Sequence, residues 1–269
     1  MRPENISDLG IVYSCYHQSS RDGEHFVPDH VITFQISGDL QLNDGNKSLH
    51  IASGATLLYC RNQLLKFVKH PPVNGEFQSL SIFLPQQMLK SFSLEYGIEA
   101  AHRPHEHSLI KLETSSSLMV FFDSLLAYAK NDGLVNEQFI TIKQKELLLL
   151  LLQINPALKD ILFDFTEPHK IDLEAFMNTN YHFNVRAERF AYLTGRSLAA
   201  FKRDFQKIFG TSPRKWLQQK RLQEAHYLIK EKGKTASAVY LDLGFEDLSH
   251  FSFAFKKQFG VAPSKTATS

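Results

Sequence analysis

A chain of 269 residues with 43% hydrophobic and 22% charged side chains has the size of two domains and the composition of an ordinary globular protein. Its longest apolar run, residues 147–152, falls far short of the ~20 residues a membrane helix needs, and no apolar core follows Met1-Arg2-Pro3-Glu4-Asn5 to suggest export. The net charge of +2 conceals an asymmetry: residues 1–170 carry 14 Lys and Arg against 19 Asp and Glu, and residues 171–269 carry 16 against 9, so a polyanion is expected to meet only the C-terminal part.

Two cysteines, Cys15 and Cys60, cannot build a disulfide scaffold and fit a reducing compartment. The expected location is therefore the cytoplasm, with no membrane partner. The first ninety residues read as strands. Val31-Ile32-Thr33-Phe34-Gln35-Ile36 is β-branched and aromatic, and Leu40-Gln41-Leu42 and Leu49-His50-Ile51 alternate apolar with polar. Between the last two, Asn43-Asp44-Gly45 suits a tight hairpin turn. Further strands are predicted over Thr56–Tyr59, 64–68 and 80–84, the last stopped by Pro85. Short antiparallel strands at this spacing predict a sandwich or barrel.

From residue 86 the period becomes helical. Gln86–Tyr96 is predicted to be a short helix, followed by a loop over 102–107. Ser116–Lys130 and Glu137–Ile154 are predicted as two longer helices, the second carrying six consecutive leucines. A helix apolar on most of its circumference is buried on most sides, either within its own domain or at a subunit interface. Pro156 ends it, and Thr166-Glu167-Pro168-His169-Lys170 is the predicted linker, placing the domains at 1–165 and 166–269.

Beyond the linker the sequence is helical and duplicated. Residues 190–215 laid against 240–265 share nine identities in twenty-six positions, among them Phe201/Phe251, Phe205/Phe255, Phe209/Phe259, Gly210/Gly260 and Pro213/Pro263. Phenylalanines four apart line one helix face, and Gly then Pro ends the helix in both copies. Each copy has the grammar of a helix-turn-helix. Ala187–Leu193, a turn at Thr194-Gly195-Arg196 and the N-cap Ser197 precede the first recognition helix. Residues 235–243, a Gly244-Phe245 turn and the N-cap Asp247 precede the second. A long helix from Pro213 to about residue 229 joins them, so both can enter successive major-groove segments, about 34 Å apart.

With the phenylalanines inward, the base-reading candidates are Arg196, Ala199, Lys202, Arg203 and Gln206 in the first motif. In the second they are Ser249, His250, Ser252, Phe253 and Lys256. Arg and Lys can donate to guanine O6 and N7, whereas alanine offers only apolar contact with a thymine methyl. Arg214, Lys215, Arg221 and Lys257 are candidates for phosphate contact.

The ordered stretches Gly244-Phe245-Glu246-Asp247-Leu248-Ser249-His250-Phe251-Ser252, Phe255-Lys256-Lys257-Gln258-Phe259-Gly260 and Lys220-Arg221-Leu222-Gln223-Glu224-Ala225 make residues 171–265 resemble the AraC/XylS family of bacterial transcription regulators. The resemblance implies sequence-specific promoter binding as a homodimer, and activation through contact with RNA polymerase. It implies base contacts at Ala199, Lys202, Arg203, Ser249, His250 and Phe253, where the family often has Arg at the last position. For the N-terminal half it implies an antiparallel, cupin-like β-barrel followed by dimerisation helices, an α+β chain overall. The order of elements is most similar to secretion-system activators controlled by partner proteins. The effector implied is a small molecule, a protein or none, and the domain can equally be a pure dimerisation or docking module.

An enzyme is not expected. A cupin-type metal site needs closely spaced histidines and a distal one, but His25 and His30 stand five apart and 64–68 contains no histidine. His102, His105 and His107 with Glu106 read as a polar loop beside Pro104, and Cys15 and Cys60 as ordinary barrel thiols rather than redox sensors. No phosphate loop or nucleophile elbow is present, and no cofactor or resident metal is expected.

Overall fold

Runs of β-branched and aromatic residues form strands β1 (Ile11–Tyr16), β2 (Phe26–Val27), β3 (His30–Ser37), β4 (Asp39–Asn43), β5 (Ser48–Ile51), β6 (Thr56–Tyr59), β7 (Gln63–Leu64), β8 (Lys66–His70), β9 (Phe77–Leu84) and β10 (Leu109–Leu112). The computed structural model describes residues 10–20, 26–45, 47–102, 109–130 and 136–266. The chain divides into two compact units, Met1–Thr166 and Glu167–Ser269.

The strands pair antiparallel as a five-stranded sheet of order β1-β9-β3-β6-β10, a three-stranded sheet β5-β4-β8 and the pair β2-β7. Among the described residues these sheets do not close, so the expected barrel gives way to packed antiparallel sheets. Alternate side chains of the larger sheet are buried on opposite faces. On β3 and β6, Ile32, Phe34 and Leu58 belong to one core while Val31, Leu57 and Tyr59 belong to another. A sheet buried on both faces reads as a continuous apolar run. One face packs on helices α1 (Gln86–Tyr96), α2 (Ser116–Lys130) and α3 (Glu137–Ile154) through Leu89, Phe92, Phe121, Phe122, Leu147 and Leu151. The other meets Leu40, Leu42 and Ile51 of the smaller sheet.

The N-cap Asn136 accepts a hydrogen bond from the Phe139 amide at the start of α3, and the Gln144 amide donates to the Phe83 carbonyl at 2.7 Å, tying that helix to β9. Of the six leucines, Leu147, Leu148 and Leu151 are buried, whereas Leu149 is exposed. A turn of 3-10 helix (Pro156–Leu158) and α4 (Lys159–Leu162) complete the unit. Its last residues are gripped by Arg61, whose Nη2 donates to the carbonyls of Asp164 at 2.8 Å and Thr166 at 2.6 Å.

The C-terminal unit is helical: α5 (Leu173–Asn180), α6 (Ala187–Leu193), α7 (Leu198–Phe209), α8 (Pro213–Lys230), α9 (Ala236–Val239), α10 (Leu248–Phe259) and α11 (Pro263–Thr266). The helix predicted over 235–243 is only α9, followed by turns to Gly244, where the backbone takes a φ of +82°. Among the described residues, no helix is long and apolar enough to cross a membrane.

His30 is buried beside Arg61, whose backbone amide donates to its Nδ1 at 3.3 Å. Burial, with the Arg61 charge nearby, pulls its pKa down from 6.5 to about 4. Between those values the unfolded chain takes up a proton that the folded chain refuses, so acidification removes stability. The loss expected across that window is roughly 3 kcal/mol. Denaturant melts of the wild type and His30→Gln at pH 7 and pH 4.5 check this: the wild type should lose clearly more on acidification, and equal losses would remove His30 from the account.

Candidate nucleic-acid interface

The two helix-turn-helix units are built by the same local chemistry. Ser197 caps α7 by accepting from the Ala200 amide, and Asp247 caps α10 by accepting from the His250 amide at 2.6 Å. Both helices end at a left-handed glycine, Gly210 and Gly260, which closes the last turn at no steric cost. Phe201, Phe205, Phe251 and Phe255 are fully buried. Phe205 and Phe209 pack on Trp216 of α8, while Phe255 and Phe259 pack on His226 of the same helix.

The opposite faces are turned to solvent. On α7, Ala199, Lys202, Arg203 and Gln206 are exposed at spacings of three and four, so they share one face. On α10, Ser249, His250, Phe253, Lys256 and Lys257 are among the exposed positions, and Ser252 is half-buried. Arg214 and Lys215, in the first turn of α8, are exposed as expected. A groove of about 740 Å³ within this unit is lined by Asn184, Arg186, Arg214, Gln218, Glu246 and His250. Arg186 was not among the sequence candidates; it sits at the N-cap of α6 and is exposed.

Two expected contacts are corrected. The Arg196 side chain is only 7% exposed: its Nη1 donates to the Ile171 and Thr194 carbonyls at 3.0 and 2.7 Å, and its Nε donates to Asp204 at 3.1 Å. That pairing, with Lys170 and Arg203 nearby, holds the Asp204 carboxyl below the usual range. Arg196 is a turn staple rather than a base reader. Arg221 is likewise buried rather than outward, donating to the carbonyls of Tyr181 at 2.7 Å, Phe183 at 2.8 Å and Gly244 at 2.9 Å. Burial lowers its pKa to about 10, which still leaves it charged at neutral pH. With three of its five donors committed to backbone oxygens and the side chain buried, this guanidinium does not present itself to a phosphate.

In the N-terminal unit a cavity of about 570 Å³ is lined chiefly by apolar and aromatic side chains, among them Val12, Phe26, Val31, Tyr59 and Phe77. Lys69 also lines it, with Nζ 3.2 Å from the Tyr16 hydroxyl and 4.3 Å from that ring's centre. Burial pushes the Cys60 thiol up to about 12, and the Cys15 thiol donates to Glu76 at 3.1 Å. Among the described residues no cluster of His, Cys, Asp and Glu can hold a metal ion. His25, His105, Glu106 and His107 lie outside those residues.

Two helix-turn-helix units sharing one helix, with basic outward faces, define the class of double helix-turn-helix DNA-binding proteins. The family described as the ExsA N-terminal regulatory domain matches residues 30–161, and a helix-turn-helix domain family matches residues 190–269. The HTH-type transcriptional regulator ExsA of Pseudomonas aeruginosa is 28% identical over 241 residues, which cover 86% of this chain and 83% of the relative. The thermoregulatory protein LcrF of Yersinia pestis is 26% identical over 255 residues, covering 92% and 89%. An apo crystal structure of a ToxT variant from Vibrio cholerae is 15% identical with a TM-score of 0.47, covering 96% of this chain and 97% of that one. The chain belongs to the AraC/XylS family of transcription regulators, with an N-terminal regulatory domain ahead of the DNA-binding one.

Arg221→Ala strands three buried carbonyls and removes three charge-assisted hydrogen bonds, so it should cost roughly 3 kcal/mol of folding stability. Arg221→Lys should rescue little, because an ammonium lacks the planar fork. Urea unfolding of the full chain measures both; unchanged stability with a shallower salt dependence of DNA binding would restore the phosphate-contact role.

Proposed function

We propose that the protein binds promoter DNA sequence-specifically through α7 and α10 and activates transcription there under the control of its N-terminal unit. The observation that carries this is the pair of capped helices whose buried phenylalanines leave matched outward faces. Ala199, Lys202, Arg203 and Gln206 read bases from the first helix, and Ser249, His250, Ser252, Phe253 and Lys256 from the second. Arg214, Lys215 and Lys257, joined by Arg186, hold phosphates and set register. The site of action is the cytoplasm, the partner at the promoter is RNA polymerase, and the protein works without catalysis or cofactor.

In this reading an effector shifts the population of arrangements in which the DNA-binding units fit tandem sites. The cavity lined by Val12, Tyr59 and Lys69 supports a small-molecule effector, and the match to the ExsA regulatory domain supports control through this half of the chain. Ile142 and Leu149 on α3 are exposed and seven residues apart, hence on one helix face, and Val120 of α2 is exposed as well. These residues support a homodimer through the helices. Ile142→Glu should shift sedimentation from dimer to monomer; a wild type that already sediments as a monomer would end that part of the reading.

The DNA reading is tested by selection from a random duplex library at ~150 mM salt with excess competitor, conditions that suppress binding by charge alone. One enriched motif with two boxes is expected. Arg203→Ala should then cost about 1–3 kcal/mol and relax preference at one base position. Lys215→Ala should weaken all duplexes alike and reduce the salt slope by about one. A uniform loss for Arg203→Ala would reassign it to phosphate.

A further inference from the structure

The duplication places Arg203 of α7 and Phe253 of α10 at the same point of the repeat, each fifty residues apart and six residues after its N-cap, Ser197 or Asp247. The two positions match in setting as well. The Arg203 side chain is 77% exposed and Phe253 is 70% exposed, although the phenylalanines flanking Phe253 at 251 and 255 are fully buried. Phe253 is therefore not part of the core. It is a large apolar ring held in water on a face otherwise made of Ser249, His250, Lys256 and Lys257. A ring has no hydrogen-bond donor for a base edge and no charge for a phosphate. The apolar group offered by the floor of the major groove is the thymine C5 methyl.

Resting on the DNA-binding reading above, we propose that Phe253 is a specificity-determining residue that reads a thymine methyl, in the register where Arg203 reads a guanine. The two recognition helices then demand different bases at equivalent positions of their boxes. The operator is asymmetric at that position, a guanine in the box under α7 and a thymine in the box under α10. One orientation of the domain on DNA is favoured over the reverse, because reversal sets Arg203 against a methyl and leaves Phe253 over polar guanine edges. An apolar ring also rejects cytosine there, since the N4 amino group would lose its water without gaining an acceptor.

The test uses the full chain and the duplex selected from the random library. Each thymine of the second box is replaced singly by deoxyuridine, which removes only the methyl. One replacement should weaken wild-type binding about three- to tenfold, the value of one buried methyl plus the ring contact it releases. Phe253→Ala should bind more weakly and be indifferent to that replacement. Cytosine at the same position should bind poorly and 5-methylcytosine should recover part of the loss. Phe253→Arg should move the preference at that position from thymine to guanine. Wild-type binding insensitive to every deoxyuridine would overturn the proposal. So would a Phe253→Ala variant that keeps full affinity, or one that loses affinity with its methyl sensitivity intact, the outcome expected of a ring that docks on protein instead. Absence of any enriched duplex for the wild type would instead count against the DNA-binding reading itself, before Phe253 enters.

Discussion

The C-terminal unit depends on phenylalanines that recur every four residues. Once Phe201 with Phe205, and Phe251 with Phe255, are committed to the interior, the 3.6-residue period leaves no freedom over what faces outward. Lys202, Arg203 and Gln206 on one helix, and Ser249, His250 and Phe253 on the other, are outward because the rings are inward. Both helices pack on α8, so that one helix carries both reading heads. Arg221 locks this arrangement by bonding the segment after α5 and the turn before α10 to the same guanidinium. Gly244 is required beside it, since a Cβ there would stand 2.7 Å from the His182 carbonyl oxygen and 2.9 Å from the Arg221 Cζ.

Much of this was legible in the sequence. The repeat gave the two motifs, Ser197 and Asp247 could be named as caps from residue type and position, and the bounds of α6, α7 and α10 followed from Gly, Pro and the apolar period. The two arginine errors have different roots. Leu217, Arg221 and Ala225 are spaced by four, which puts Arg221 on the inward stripe of α8, and that signal was available. The inward turn of Arg196 depends on Asp204 and on the carbonyl of Ile171, partners that only the folded chain brings together. Strand positions were readable from alternation, but whether antiparallel strands close or stack depends on register and long-range pairing. Short β10, paired with β6 about fifty residues earlier, carried no local signal strong enough to mark it.

In the N-terminal unit, Tyr59 lines the cavity while Arg61, two residues on, holds the carbonyls of Asp164 and Thr166 at the end of the unit. A change in the strand carrying Tyr59 is thus two residues from the grip on the chain's exit. That proximity gives the proposed control a physical route: an occupant of the cavity, or a partner on the sheet, acts on the segment leading into the DNA-binding unit. At His30, burial beside Arg61 disfavours a second positive charge. Among the exposed apolar residues, Ile142 and Leu149 on α3 lie on the helical side of the sheet, away from the face that lines the cavity.

The central claim is that both recognition helices enter the major groove of one duplex. Hydroxyl-radical footprinting of the full chain on its selected duplex tests this most directly. Two protected segments on one face of the DNA, separated by about one helical turn, are expected for each DNA-binding unit. A single protected segment, or protection without regard to face, would mean that one helix-turn-helix is architecture and does not read DNA.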